Sequence, residues 1–169
     1  IYNGTTAIGT ATTLTSTNIT NGYIDITTSA LSQGTYALNA KVIDVAGNVS
    51  AASSSFTTTI DTTAPNAPII TSVTDDVAGG VVGALTKGAL TNDTTPTIRV
   101  SLTGTNAVIG DSVQIYNGTT ALGTATTLTS TNITNGYVDI TTSALSQGAY
   151  TFNAKVIDIA GNTSSASSN

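Results

Sequence analysis

From Pro68 onward the chain alternates apolar and polar positions in short runs separated by turn residues. Residues 68–73, 97–102, 113–116, 121–126, 137–141 and 149–158 have the period of two expected of strands with one buried face. Ile98, Val100 and Leu102 share one face, and Tyr150, Phe152, Ala154 and Val156 share another. Pro68 suits a strand start, where no ladder donor is needed. Asn117-Gly118 is expected to form a type I′ hairpin turn between 113–116 and 121–126, since both residues tolerate positive φ. A last strand is expected from Ser164, and no amphipathic helical spacing is found. About seven strands in about 100 residues predict an all-β fold, an immunoglobulin-like β-sandwich with Greek-key connections. Tyr150, close behind Leu145-Ser146-Gln147-Gly148, reads either as a tyrosine corner bonding backbone across the preceding turn or as an ordinary core tyrosine.

The same text occurs twice. IYNGTTAIGTATTLTSTNITNGYIDITTSALSQG begins at Ile1, and IYNGTTALGTATTLTSTNITNGYVDITTSALSQG begins at Ile115. About nine of roughly 55 paired positions differ, and the core exchanges are conservative: Ile8/Leu122, Ile24/Val138, Leu38/Phe152 and Val45/Ile159. A period of about 114 residues is domain-sized, which predicts tandem domains rather than a solenoid. Residues 1–60 read as the C-terminal half of one repeat, 61–65 as a linker, and 66–169 as a nearly complete second repeat. A half sandwich cannot bury its core alone, so the first copy is expected to be completed by residues outside these 169, within a longer molecule.

Composition narrows the chemistry. Charged residues make up 8%, with 4 Lys+Arg against 9 acids and a net charge of -5. Thr is roughly a fifth of the chain, so polarity comes from hydroxyls and amides on a β-compatible surface. His and Cys are absent, which excludes imidazole catalysis, disulfides, thiol nucleophiles and zinc-thiolate sites. So few basic residues argue against nucleic acid as a partner. No apolar stretch is long enough to span a membrane as a helix, so no membrane insertion of this segment is expected.

Five motifs then occur in order: Asp61-Thr62-Thr63-Ala64-Pro65, Thr74-Asp75-Asp76-Val77, Thr91-Asn92-Asp93-Thr94-Thr95-Pro96-Thr97, Val113-Gln114-Ile115-Tyr116-Asn117-Gly118 and Asp158-Ile159-Ala160-Gly161-Asn162. Together they resemble the bacterial Ig-like tandem repeats of giant biofilm-associated adhesins of the RTX and BapA-like type. The resemblance covers the whole chain. It implies a stalk stiffened by calcium, exported by type I secretion and extracellular on a Gram-negative cell surface. Its partners are neighbouring repeats of the same chain, and the adhesin target stays unspecified. The chain departs from the family in having no Glu, in placing Tyr137 where many members carry Trp, and in the Gly-rich insert 79–89.

All nine acids are aspartates, mostly in turns and linkers. Calcium takes about six to eight oxygen ligands, and an acid set without Glu, His or Cys suits such a hard cation better than zinc or copper. Strand topology sorts the candidates. Asp61, Asp111 and Asp158, with Asn162, are expected at the N-terminal end of the second domain; Asp75, Asp76 and Asp93 are expected at the opposite end. Asp25 and Asp139 lie mid-strand and are expected to face solvent. The competing reading for each aspartate is a turn residue capping its own loop. The Thr-rich run 125–131 reads as a strand and loop rather than a flat binding array, and Gly79-Gly80-Val81-Val82-Gly83 lacks the Lys-Ser/Thr ending of a phosphate loop. The expectation is a non-enzymatic extender. The alternatives are a glycan- or host-binding module and a fibre or surface-layer subunit completed by a neighbour's strands.

Overall fold

The computed structural model describes residues 1–168; Asn169, the end of the second expected repeat, lies outside the described residues. The chain divides into two compact units, Ile1–Thr62 and Thr63–Asn169. The first holds β1 (Tyr2–Asn3), β2 (Thr6–Ala7), a short helix α1 (Ser16–Asn21), β3 (Gly34–Asn39) and β4 (Phe56–Ile60). These strands form one antiparallel sheet in the order β2-β1-β3-β4.

The second unit holds β5 (Ile69–Asp75), β6 (Gly83–Ala84), β7 (Thr97–Ser101), β8 (Ser112–Asn117), β9 (Thr120–Thr127), α2 (Ser130–Asn135), β10 (Tyr137–Thr141) and β11 (Phe152–Ile157). Two sheets result, β10-β7-β5-β6 and β11-β8-β9. The chain passes from one sheet to the other between β7 and β8, between β9 and β10 and between β10 and β11, as a sandwich with immunoglobulin-like connections requires. The all-β expectation therefore holds. After β11 the chain returns through isolated bridges, Ile157 to Thr163 and Ile69 to Ser168. There the side chains of Ser164 and Ser167 accept the N–H groups of Val156 and Ala154, each at 3.0 Å. A hydroxyl thus takes the place of a ladder carbonyl, and Ser50 and Ser53 do the same for Val42 and Ala40.

Two local expectations are corrected, and the Gly-rich insert gains a definite geometry. Helices exist: α1 and α2 are each capped by a threonine, Thr15 or Thr129, in a reciprocal capping box with Asn18 or Asn132, and each ends at a left-handed glycine, Gly22 or Gly136. Six residues are too few to show an amphipathic period, so only the cap residues announced them. The hairpin turn is Gly118-Thr119, because Asn117 pairs with Thr120. Only Gly118 has positive φ, 58°, the pattern of a II′ turn rather than I′. The Gly-rich insert is not a free loop: Gly83 and Ala84 pair with Asp75 and Thr74. Of the two readings of Tyr150, the corner is made. Its hydroxyl donates to the Ser146 carbonyl at 2.9 Å, and Tyr36 repeats the bond to Ser32 at 2.9 Å.

The core lies in the second unit. Ile98, Val100 and Leu102 meet Val113, Ile115, Leu128, Val138, Ala154 and Val156 between the sheets. Val138 pairs with Val100 and Ile140 with Ile98 across the β10–β7 ladder. The first copy repeats much of this text yet contributes nothing to the core: Leu128 is 1% exposed, and Leu14, its counterpart, is 44% exposed. The same side chain therefore has different energetic weight in the two places. Leu128→Ala is expected to cost about 2–5 kcal/mol, as a core truncation does; Leu14→Ala is expected to cost less than about 1 kcal/mol. Denaturant unfolding of the two variants checks this, and equal losses would contradict it.

Candidate functional site

The end of the second unit that carries the β5–β7 connection holds two buried carboxylates. Asp75 closes β5 and is 0% exposed. Its Oδ1 accepts the Val77 N–H at 2.8 Å, and its Oδ2 accepts the Thr91 hydroxyl. Thr91 Oγ1 in turn accepts the Asp93 N–H at 3.0 Å, so one threonine links the two aspartates. Asp93 is 5% exposed. Its Oδ1 accepts the Thr95 N–H at 2.7 Å and the Thr95 hydroxyl at 3.2 Å. Its Oδ2 is buried with no hydrogen-bond partner among the described residues. Burying an anion without a compensating partner is costly, and an orphaned carboxylate oxygen of this kind suits a cation. The donors on offer here are oxygens: two carboxylates, hydroxyls and loop carbonyls. That set fits calcium. Among the described residues no group of three acidic side chains comes together, so carbonyls, hydroxyls and water would complete any coordination shell. The threonines at 91 and 95 were not anticipated, although the Thr-x-Asp-x-Thr spacing signals them.

Asp76 parts from its neighbour. Successive strand side chains point to opposite faces, and Asp76 lines an open groove with Ser72, Thr74, Thr97, Arg99 and Asp139. Arg99 Nε and Nη2 donate to the two carboxylate oxygens of Asp139, each at 2.7 Å, and the guanidinium lies 3.9 Å from the Tyr137 ring centroid. Asp139 thus belongs to the outer face, as expected, but is engaged in an ion pair there.

Asp111, Asp158 and Asn162 gather at the opposite end. Asp111 is 3% exposed. Its Oδ2 accepts the Val108 N–H at 2.8 Å and its Oδ1 accepts the Ile159 N–H at 3.1 Å, which ties the β7–β8 connection to the turn after β11. Asp158 accepts the Asn162 backbone N–H at 2.7 Å and its side-chain amide at 2.8 Å. Asp44 and Asn48 repeat this turn at 2.8 Å for both bonds. The turn-capping reading therefore describes Asp158 as it stands. Asp61 lies in the first unit, exposed and directly after β4.

The Asn162 side-chain amide is the main reason the Asp158 carboxyl lies below the usual aspartate range, and the Arg99 guanidinium lowers Asp139. A carboxyl lowered by folding contributes stability above its unfolded value of about 4, and that contribution is lost as the pH falls through the folded value. Asp139 is exposed and Asp158 only half-buried, so the expected effect on stability is small. NMR titration is expected to find both carboxyls low, with Arg99→Ala returning Asp139, and Asn162→Ala returning Asp158, toward the ordinary value. No movement in either variant would contradict these assignments.

Comparison with known proteins follows the same lines. The sequence is 31% identical over 174 residues to exoglucanase B of Cellulomonas fimi, which covers 99% of this chain and 13% of that protein. It is 35% identical over 175 residues to chitinase A1 of Niallia circulans, covering 99% of this chain and 20% of that protein. The chain thus spans a fifth or less of these relatives. The profile of the bacterial Ig-like domain matches residues 3–62 and again 68–169. Two matched stretches in tandem, a non-catalytic module type and an all-β sandwich agree, and the chain belongs to the bacterial Ig-like domain family.

Proposed function

We propose that this chain is a structural extender of a large secreted bacterial surface protein, with no catalytic role of its own. In this reading the repeats give reach and stiffness to an extracellular stalk on a Gram-negative cell, of the kind exported by type I secretion, and support attachment and biofilm formation. Near-identity of the copies favours a spacer, in which each unit repeats one mechanical task. The observation that carries the calcium part is the unpartnered Oδ2 of buried Asp93, one threonine away from buried Asp75. A calcium ion held there by Asp75, Asp93 and neighbouring oxygens would neutralise the buried charge and fix the loop at the end of the domain. Neighbouring repeats are the proposed partners at that end.

A second reading is favoured by the relatives, which are parts of an exoglucanase and a chitinase. On that view the module accompanies polysaccharide-degrading enzymes or binds a glycan itself. Co-sedimentation with chitin and cellulose separates the two, since an extender stays in solution.

Calorimetric titration of the 169-residue chain with calcium is expected to give binding heat and a raised Tm. At calcium about 100 times Kd the stabilisation is about 2.7 kcal/mol. The Asp75→Asn/Asp93→Asn double variant is expected to lose both effects. Absence of heat and an unmoved Tm in the unaltered chain would overturn the calcium role.

A further inference from the structure

At one end of the core of the second unit, the inner face of a sheet turns polar. Val73 on β5, Ile98 on β7 and Ile140 on β10 stand side by side in register and pack into the core. The next inner positions toward the β5–β7 connection are Asp75, Pro96 and Thr142, because side chains alternate with a period of two. The register reaches that row, since the Thr142 N–H donates to the Pro96 carbonyl at 3.1 Å. All three residues are buried, with Asp75 at 0% and Thr142 at 7% exposure. Asp75 is explained by its bonds to Val77 and Thr91. Thr142 is not, because its hydroxyl has no hydrogen-bond partner among the described residues. Asp93, three residues before Pro96, holds the other unpartnered oxygen of this end, and the two do not bond each other. A buried hydroxyl or carboxylate oxygen without a partner is costly, so two of them at one end point to a shared occupant. The unpartnered oxygens of Asn39 and Asn153 belong elsewhere, to side chains whose amides donate to the Gly4 and Gly118 carbonyls at the hairpin turns.

We propose that Thr142 is a further ligand of the ion proposed for Asp75 and Asp93, so that one calcium fastens the β10–β11 connection to the loops on either side of β6. This rests on the calcium reading. Two carboxylates already balance the charge of a dication, so the remaining ligands should be neutral oxygens, and a hydroxyl is one. The segment that carries it is held in place: the Leu145 N–H donates to the Thr94 carbonyl at 2.7 Å, beside the Thr142 bond to Pro96. The hydroxyl is thus presented from a fixed stretch of backbone next to the Asp93 turn. The same group is a cost to the metal-free domain, where it is buried unpaired, and a gain to the loaded one.

Two variants of the 169-residue chain separate these roles: Thr142→Val keeps the shape and removes the hydroxyl, and Thr142→Ser keeps the hydroxyl. Calorimetric titration with calcium is expected to show Kd raised at least about tenfold in Thr142→Val and held within about threefold in Thr142→Ser. In chelator the Tm of Thr142→Val is expected to equal or exceed that of the unaltered chain, because an unpaired buried hydroxyl has been removed. In a fixed excess of calcium its Tm is expected to fall below that of the unaltered chain. Unchanged calcium affinity in Thr142→Val would overturn the ligand role and leave the site at Asp75 and Asp93 standing. A Tm lowered equally in calcium and in chelator would also overturn it, since the hydroxyl would then serve the fold through water. No calcium heat in the unaltered chain would overturn the site itself, and the role of Thr142 with it.

Discussion

Closure of one sheet by another governs this molecule. An antiparallel sheet with an apolar inner face is stable only when a second layer removes that face from water. In the second unit β7 supplies the central strand of the covering layer, with Ile98 and Val100 fully buried beneath its polar outer face. Its ladders to β5 and β10 satisfy the backbone while its side chains fill the space between the sheets. In the first unit the sheet of β1 to β4 forms with the same local details, but no apolar side chain within it becomes buried. The pair of copies separates what a segment encodes locally from what only tertiary packing confers.

The local part is extensive. Capping boxes at Thr15 and Thr129, tyrosine corners at Tyr36 and Tyr150, Asp-Asn turns at 44–48 and 158–162, and serine hydroxyls standing in for ladder carbonyls all appear in both copies. Each joins residues near in sequence or across one sheet edge, so none depends on the second layer. These devices also explain why a chain with 8% charged residues is so rich in hydroxyl and amide side chains. Short polar groups that bond backbone directly replace the ion pairs of an ordinary surface. The aspartates follow the same logic: Asp111 braces two connections through backbone N–H groups, while Asp93 keeps one buried oxygen without a donor among the described residues.

Much of this was legible beforehand because strand alternation is a strong signal. The apolar positions 98, 100, 102, 154 and 156 all belong to the core, together with Val113, Ile115, Leu128 and Val138. What escaped has identifiable causes. A six-residue helix shows no period, and the turn at Gly118 depends on a register that sequence does not display. The parting of Asp75 from Asp76 follows from strand alternation in a strand that runs two residues past its expected end at Val73. The convergence of Asp111 with the Asp158 turn was readable from topology, but its purpose was not, because the Val108 and Ile159 N–H groups that engage it carry no side-chain signature.

The central claim is that closure, rather than local sequence, decides order in these near-identical copies. Residue-resolved amide hydrogen exchange on the 169-residue chain addresses it directly, by comparing residues 137–141 with residues 23–27. Slower exchange at 137–141 by about a hundredfold or more is the predicted result. Equal exchange in the two segments would contradict it.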